Sequence, residues 1–189
     1  RSIVSPGCRP IGSPLTVTRA ERNVVYLLAG KRAMERLQEL IDSASDEQRA
    51  LMAKGLHVGV VVDEHRVDFE RGDFLIRGLM GVDRSNGALA VGDTVDVGST
   101  IQFQVRDADT ASEDLHLMLS GSRAEGGLLF SCNGRGSHLF EQPDHDVTAV
   151  YDETDTPAIG GMFCAGEFGP IAGRNALHGF TASVLLFDR

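Results

Sequence analysis

Turn signals in this chain fall too close together for most of its apolar runs to be joined by helical crossovers, and that spacing limits the possible folds more than any other feature. Parallel strands need a crossover of a dozen or more residues, whereas antiparallel strands need only a tight turn. Apolar, β-branched runs predict strands at Asn23–Ala29, Leu56–Val62, Phe74–Gly81 and Gly127–Asn133. Ile101, Phe103 and Val105 alternate with Gln102 and Gln104, the pattern of a half-buried strand. A buried strand is expected at Ala158–Ala165 and a long closing strand at Leu177–Phe187. Helices are fewer. Ala33, Met34, Leu37, Leu40 and Ile41 recur at helical spacing, and Ser45 with Gln48 and Thr110 with Glu113 read as capping boxes opening two more helices. Pro143 is suited to start a short helix through about Tyr151. The predicted fold class is α+β, a mixed, largely antiparallel sheet with packed helices. Residues 1–14 are expected to be linker, and Gly166–Asn175 a Gly/Pro loop.

Charge and cysteine usage narrow the function. A net charge of −9 without a basic stripe argues against nucleic acid as a partner. Cys8, Cys132 and Cys164 are an odd number with no C-x-x-C pair, which predicts reduced thiols and a cytoplasmic location. The longest apolar runs fall far short of the roughly 20 residues that span a bilayer, so no membrane partner is expected. The opening Ser5-Pro6-Gly7-Cys8-Arg9-Pro10 reads as the middle of something, so the expectation is the C-terminal part of a larger protein.

Gly134-Arg135-Gly136 lacks the third glycine of a dinucleotide loop, since Leu139 stands there, and no phosphate-binding lysine motif occurs. Asp144-His145-Asp146 is read as helix-starting acids meeting the helix dipole, because consecutive helical residues diverge and cannot easily converge on one metal ion. Cys132 and Cys164 are read as small buried hydrophobes, with a cysteine-dependent enzyme as an alternative. His178 shares parity with Phe180, Ala182 and Val184, so its ring is expected to face inward, as a core residue, a pocket-wall donor or an axial ligand. Arg135, Glu167, Arg174 and Asn175 sit in Gly-rich loops at strand ends, where small-ligand sites form. The Arg135 and Arg174 loops are expected on one edge of the sheet. An Arg fork would clamp a carboxylate while Asn133, Glu167 and Asn175 read the remaining polar groups.

Several segments in order resemble the C-terminal domain of FIST proteins: Leu129 to Gly136, Pro143 to Val147, Phe163 to Ile171, Gly173-Arg174-Asn175 and His178 to Ser183. Gly7 to Gly12 is similar to the close of the FIST N-terminal domain, and Phe69 to Phe74 to another family element. The resemblance divides the chain into 1–20, the end of the N-terminal domain or a linker, and 21–189, the C-terminal domain. It implies a sensory module that binds small ligands such as amino acids and works with a kinase, cyclase or chemotaxis receptor. It implies no catalytic set and no enzyme activity, and most of the N-terminal FIST domain is missing. No cofactor is expected, with haem held by His178 as the alternative.

Overall fold

The computed structural model describes residues 1–187, which form two compact units: Arg9–Arg106, and Arg1–Cys8 together with the chain from Asp107 onward. In chain order the first elements are β1 (Ser2–Ser5), β2 (Cys8–Glu21), β3 (Val24–Leu28), β4 (Lys31–Arg32), α1 (Ala33–Ser43) and α2 (Asp46–Lys54). Then follow β5 (Leu56–Val61), β6 (Phe74–Asp83), β7 (Ala88–Val91), β8 (Thr100–Arg106) and α3 (Ala108–Leu119). The last are β9 (Gly126–Cys132), a 3-10 turn (Gly136–His138), α4 (His145–Thr154), β10 (Ile159–Cys164), β11 (Glu167–Ile171), β12 (Arg174–His178) and β13 (Ala182–Phe187).

The Arg9–Arg106 unit is a seven-stranded sheet in the order β2-β8-β5-β6-β7-β3-β4, which closes on itself because β2 also pairs with β3. Val17, Val25, Val58, Ile101, Phe103 and Val105 fill its core, and α1 adds Ala33 and Leu37. Gln102 and Gln104 are buried as well, so β8 is not the half-solvated strand its alternation suggested. Gln102 Nε2 donates to the Gly12 carbonyl at 2.5 Å, which is how one of these polar faces is satisfied. The Ser45–Gln48 capping box is present with both bonds formed.

The other unit is a four-stranded sheet, β1-β13-β9-β10, antiparallel except for the parallel β9–β10 pair. Helices α3 and α4 cover one face: Leu115, Leu119, Ala149 and Val150 pack on Ile3, Leu129, Ala182, Val184 and Leu186. Each of the Leu, Ile and Val side chains among them contributes about 1.5–3 kcal/mol through burial. The β11–β12 hairpin lies against the opposite face, where Ser183 donates to the Phe168 carbonyl and Val4 meets Gly169. The expected α+β class with largely antiparallel pairing is therefore present, drawn as three sheets.

Local expectations failed where tertiary pairing outweighs composition. Residues 1–14 are strand from β1 into β2, and β1 is held in the sheet by β13. The N-cap of α3 is Asp107, whose side chain accepts from the Thr110 amide, so Thr110 is not the cap. The segment read as a Gly/Pro loop contains β11, and the single closing strand is broken: Phe180, at φ +69, turns the chain between β12 and β13. β10 is an edge strand with Met162 and Phe163 exposed, not a buried strand.

Candidate functional site

Every residue expected to bind ligand lies in the sheet-and-hairpin unit. β9 leads into the loop Asn133–Gly136, tied down by Asn133 N–H on the Cys164 carbonyl (2.7 Å) and Arg135 N–H on the Cys132 carbonyl (2.8 Å). Gly136 takes φ +60, and a Cβ there would press on the Phe163 ring at 3.0 Å. The loop therefore turns inward and places Arg135, 1% exposed, inside the protein. Its Nε and Nη2 donate to the two Asp146 oxygens at 2.6 and 2.8 Å, a bidentate pair, and Ser131 Oγ adds a third bond at 2.6 Å. Burial alone would raise the Asp146 carboxyl. The guanidinium, with Ser131 and His145, overrides this and holds it below the ordinary carboxylate range.

The cluster continues through His145, whose Nδ1 lies 3.1 Å from Asp146 and whose Nε2 lies 3.0 Å from Ser112 Oγ. Its ring stacks on Phe140, which also lies under the Arg135 guanidinium. Ser112, His145 and Asp146 thus have the connectivity of an acyl-transfer triad. Arg135, however, already neutralises the carboxylate, and Ser112 does not line the cleft beside the cluster. We read the relay as a clamp between α3 and α4.

Glu167 opens β11 opposite His178 and is 1% exposed. Its Oε2 accepts from Thr181 Oγ1 (2.9 Å) and Thr181 N–H (3.3 Å), whereas Oε1 has no partner among the described residues. Burial raises its carboxyl above the ordinary value of 4.5, against the opposing pull of Thr181, Cys132 and Arg135. In the window between that value and the raised one, the folded chain holds a proton that the unfolded chain has released. Stability therefore falls as pH rises through it. Glu167→Gln keeps an acceptor for Thr181 and cannot ionise. Urea midpoints measured from about pH 4 to pH 7 should show a flatter slope and a variant at least as stable at neutral pH. An unchanged slope would contradict this assignment.

The structure separates the six expected residues. Arg135, Glu167 and His178 are buried, and Asn133, Arg174 and Asn175 are exposed. Arg174 and Asn175 pair with Ile171 and Pro170, at the end of the hairpin away from the Glu167–His178 pair. Arg174 is open to solvent while Arg135 is committed to Asp146, so the two do not make a twin clamp. His178 faces inward, but its Nε2 donates to the Gly169 carbonyl at 3.0 Å, so as placed it does not offer that nitrogen to a haem iron. Cys132 is buried, Cys164 is half-buried, and none of the three cysteines is in a disulfide. Sequence reasoning missed Asp146 as the Arg135 partner, and with it Ser131, Ser112 and Phe140. An Arg between two glycines at a strand end, with an Asp in the next helix, was the available signal.

Beside the cluster lies a cleft of about 240 Å³ between β9, β10 and α4. Leu129, Val147, Ile159, Met162 and Phe163 form its apolar walls, and Ser131, Asp144, His145 and Asp146 its polar end. A second cleft of about 240 Å³ in the seven-stranded unit has its charges spent, because Arg36 and Glu39 pair with each other at 3.0 Å. Among the described residues no group of three or more His, Cys, Asp or Glu is placed to hold a metal ion, and no helix is long and apolar enough to cross a membrane.

No solved structure matches the chain. Uncharacterised proteins of Mycobacterium tuberculosis (strain H37Rv) and Mycobacterium bovis are each 48% identical to it, over 192 and 191 residues, covering 98% of this chain and 50% of theirs. The chain therefore spans about half the length of these relatives. The family model of the FIST C domain matches residues 33–170, and that of the FIST N domain matches residues 1–31. The chain belongs to the FIST family of signal-transduction sensory domains.

Proposed function

We propose that this chain is the ligand-binding portion of a cytoplasmic signalling protein, and that it takes a small carboxylate-bearing metabolite such as an amino acid into the cleft between β10 and α4. The observation that carries the reading is a cleft of about 240 Å³ whose polar end is backed by a buried, pre-organised charged cluster. Its size suits a metabolite, and apolar walls with a few convergent polar groups are the usual make-up of such sites. Leu129, Val147 and Ile159 would take an aliphatic group, and Asp144 at the polar end complements an ammonium. Arg135 stands behind Asp146, outside the cleft lining, and its bidentate pair with that carboxylate holds Asp146 in place at the polar end.

The cluster also provides a route outward. α4 carries His145 and Asp146, with Asp144 at its N-cap, and it is joined to α3 by His145–Ser112 and by His116–Glu153 at 2.8 Å. A ligand that shifts α4 would shift this helical face, which a kinase, cyclase or chemotaxis receptor could read. The standard amino acids and short-chain carboxylic acids should be screened by thermal shift and calorimetric titration. At least one should raise the melting temperature and saturate, and Val147→Phe, which fills the cleft, should abolish that response. Absence of any response across the panel, or full response in Val147→Phe, would contradict the proposal.

A further inference from the structure

The parallel β9–β10 ladder ends by setting Cys132 directly against Cys164. Neighbouring strands lie roughly 4.8 Å apart, and directly paired residues of parallel strands project to the same face. That separation falls within the roughly 4.4–6.8 Å between Cα atoms that a disulfide spans. We propose that Cys132 and Cys164 are a reversible thiol–disulfide site, oxidised by a low-molecular-weight disulfide such as oxidised glutathione.

The two thiols differ in a way that fixes the order of events. Cys164 is half-buried on the edge strand, and its Sγ donates to the Met162 carbonyl at 3.8 Å. Cys132 is 7% exposed, its sulfur accepts the Phe180 N–H at 3.3 Å, and it lies beside the Glu167 carboxyl. Cys164 as thiolate attacks one sulfur of the small disulfide, forming a mixed disulfide and releasing one small thiol. Cys132 then loses its proton, with Glu167 as the adjacent acceptor, and attacks the Cys164 sulfur. The internal S–S bond forms and the second small thiol leaves, so the protein loses two hydrogens and the small disulfide gains them. A link between adjacent strands is tight, and strained disulfides are the readily reduced, regulatory kind. The edge position of β10 leaves one side of the strand without a neighbouring strand, which gives it room to adjust. Cys132 also leads into the Arg135 loop, so the bond would withdraw its thiol from Glu167 and tie that loop to β10.

The test does not depend on the metabolite proposal. The whole chain is equilibrated across ratios of reduced to oxidised glutathione, quenched by alkylation, and read by intact mass and non-reducing peptide mapping. The expected product is one internal Cys132–Cys164 link with the loss of two hydrogens, formed equally in Cys8→Ser and reversed by dithiothreitol. Cys132→Ser should stop at a glutathione adduct on Cys164, and Cys164→Ser should form neither link nor adduct at Cys132. A lasting glutathione adduct on wild-type Cys164 without the internal link, a link through Cys8, or two reduced thiols at the oxidising end would each overturn the proposal.

Discussion

Arg135→Leu should lower the stability of the chain by roughly 3–5 kcal/mol, the cost of leaving a buried carboxylate unpaired. Asp146 is buried, and its oxygens are bonded to Arg135, Ser131 and His145. Without the guanidinium, only Ser131 and His145 would oppose its desolvation. The loss should be smaller at low pH, where Asp146 can take up a proton and cease to need a partner. The double variant Arg135→Leu/Asp146→Leu should recover much of the loss, because a buried ion pair replaced by apolar side chains is often tolerated. Urea denaturation of the two single variants and the double variant gives the coupling energy directly. Additive losses would mean that the two residues act independently and that the cluster is not a unit.

Gly161→Ala should cost about 3 kcal/mol, at the upper end of overpacking penalties, while its neighbour Gly160→Ala should be nearly neutral. A Cβ at Gly161 would lie 1.9 Å from the Leu129 carbonyl oxygen, a backbone atom that cannot move without breaking the β9–β10 ladder. A Cβ at Gly160 meets only Leu128 Cδ2 at 3.7 Å, an ordinary contact. Denaturant midpoints, with hydrogen exchange of the amides at the β9–β10 junction, would check the contrast. Equal effects at both positions would show that β10 is not held in the register described.

The contrast between these glycines shows where sequence reading stops. Its successes were local: the Ser45–Gln48 cap and the α1 stripe each depend on residues within a few positions of one another. The run of Met162 and Phe163 looked buried because hydrophobicity alone does not reveal which strand lies at an edge. Residues 1–14 looked like linker because the partner of β1 lies at the far end of the chain, in β13. Arg135 and Glu167 stood out as charged residues beside glycines, and both are in the interior. Asp146 fitted a helix-dipole role and was passed over, although it is the residue on which Arg135 depends. His178 faces inward as expected, but on a separate strand from Val184, so the parity argument reached a correct side by an incorrect path.

The most direct test of the binding reading is an NMR titration of methyl-labelled protein with the amino acids that raise its melting temperature. Val147, Ile159 and Met162 line the cleft and carry reporter methyl groups on both of its walls. The account predicts saturable shifts concentrated on those three residues and on Leu129, with Leu15 and Leu40 of the other cleft unmoved. Shifts confined to Leu15 and Leu40, or none at ligand concentrations that stabilise the protein, would contradict it.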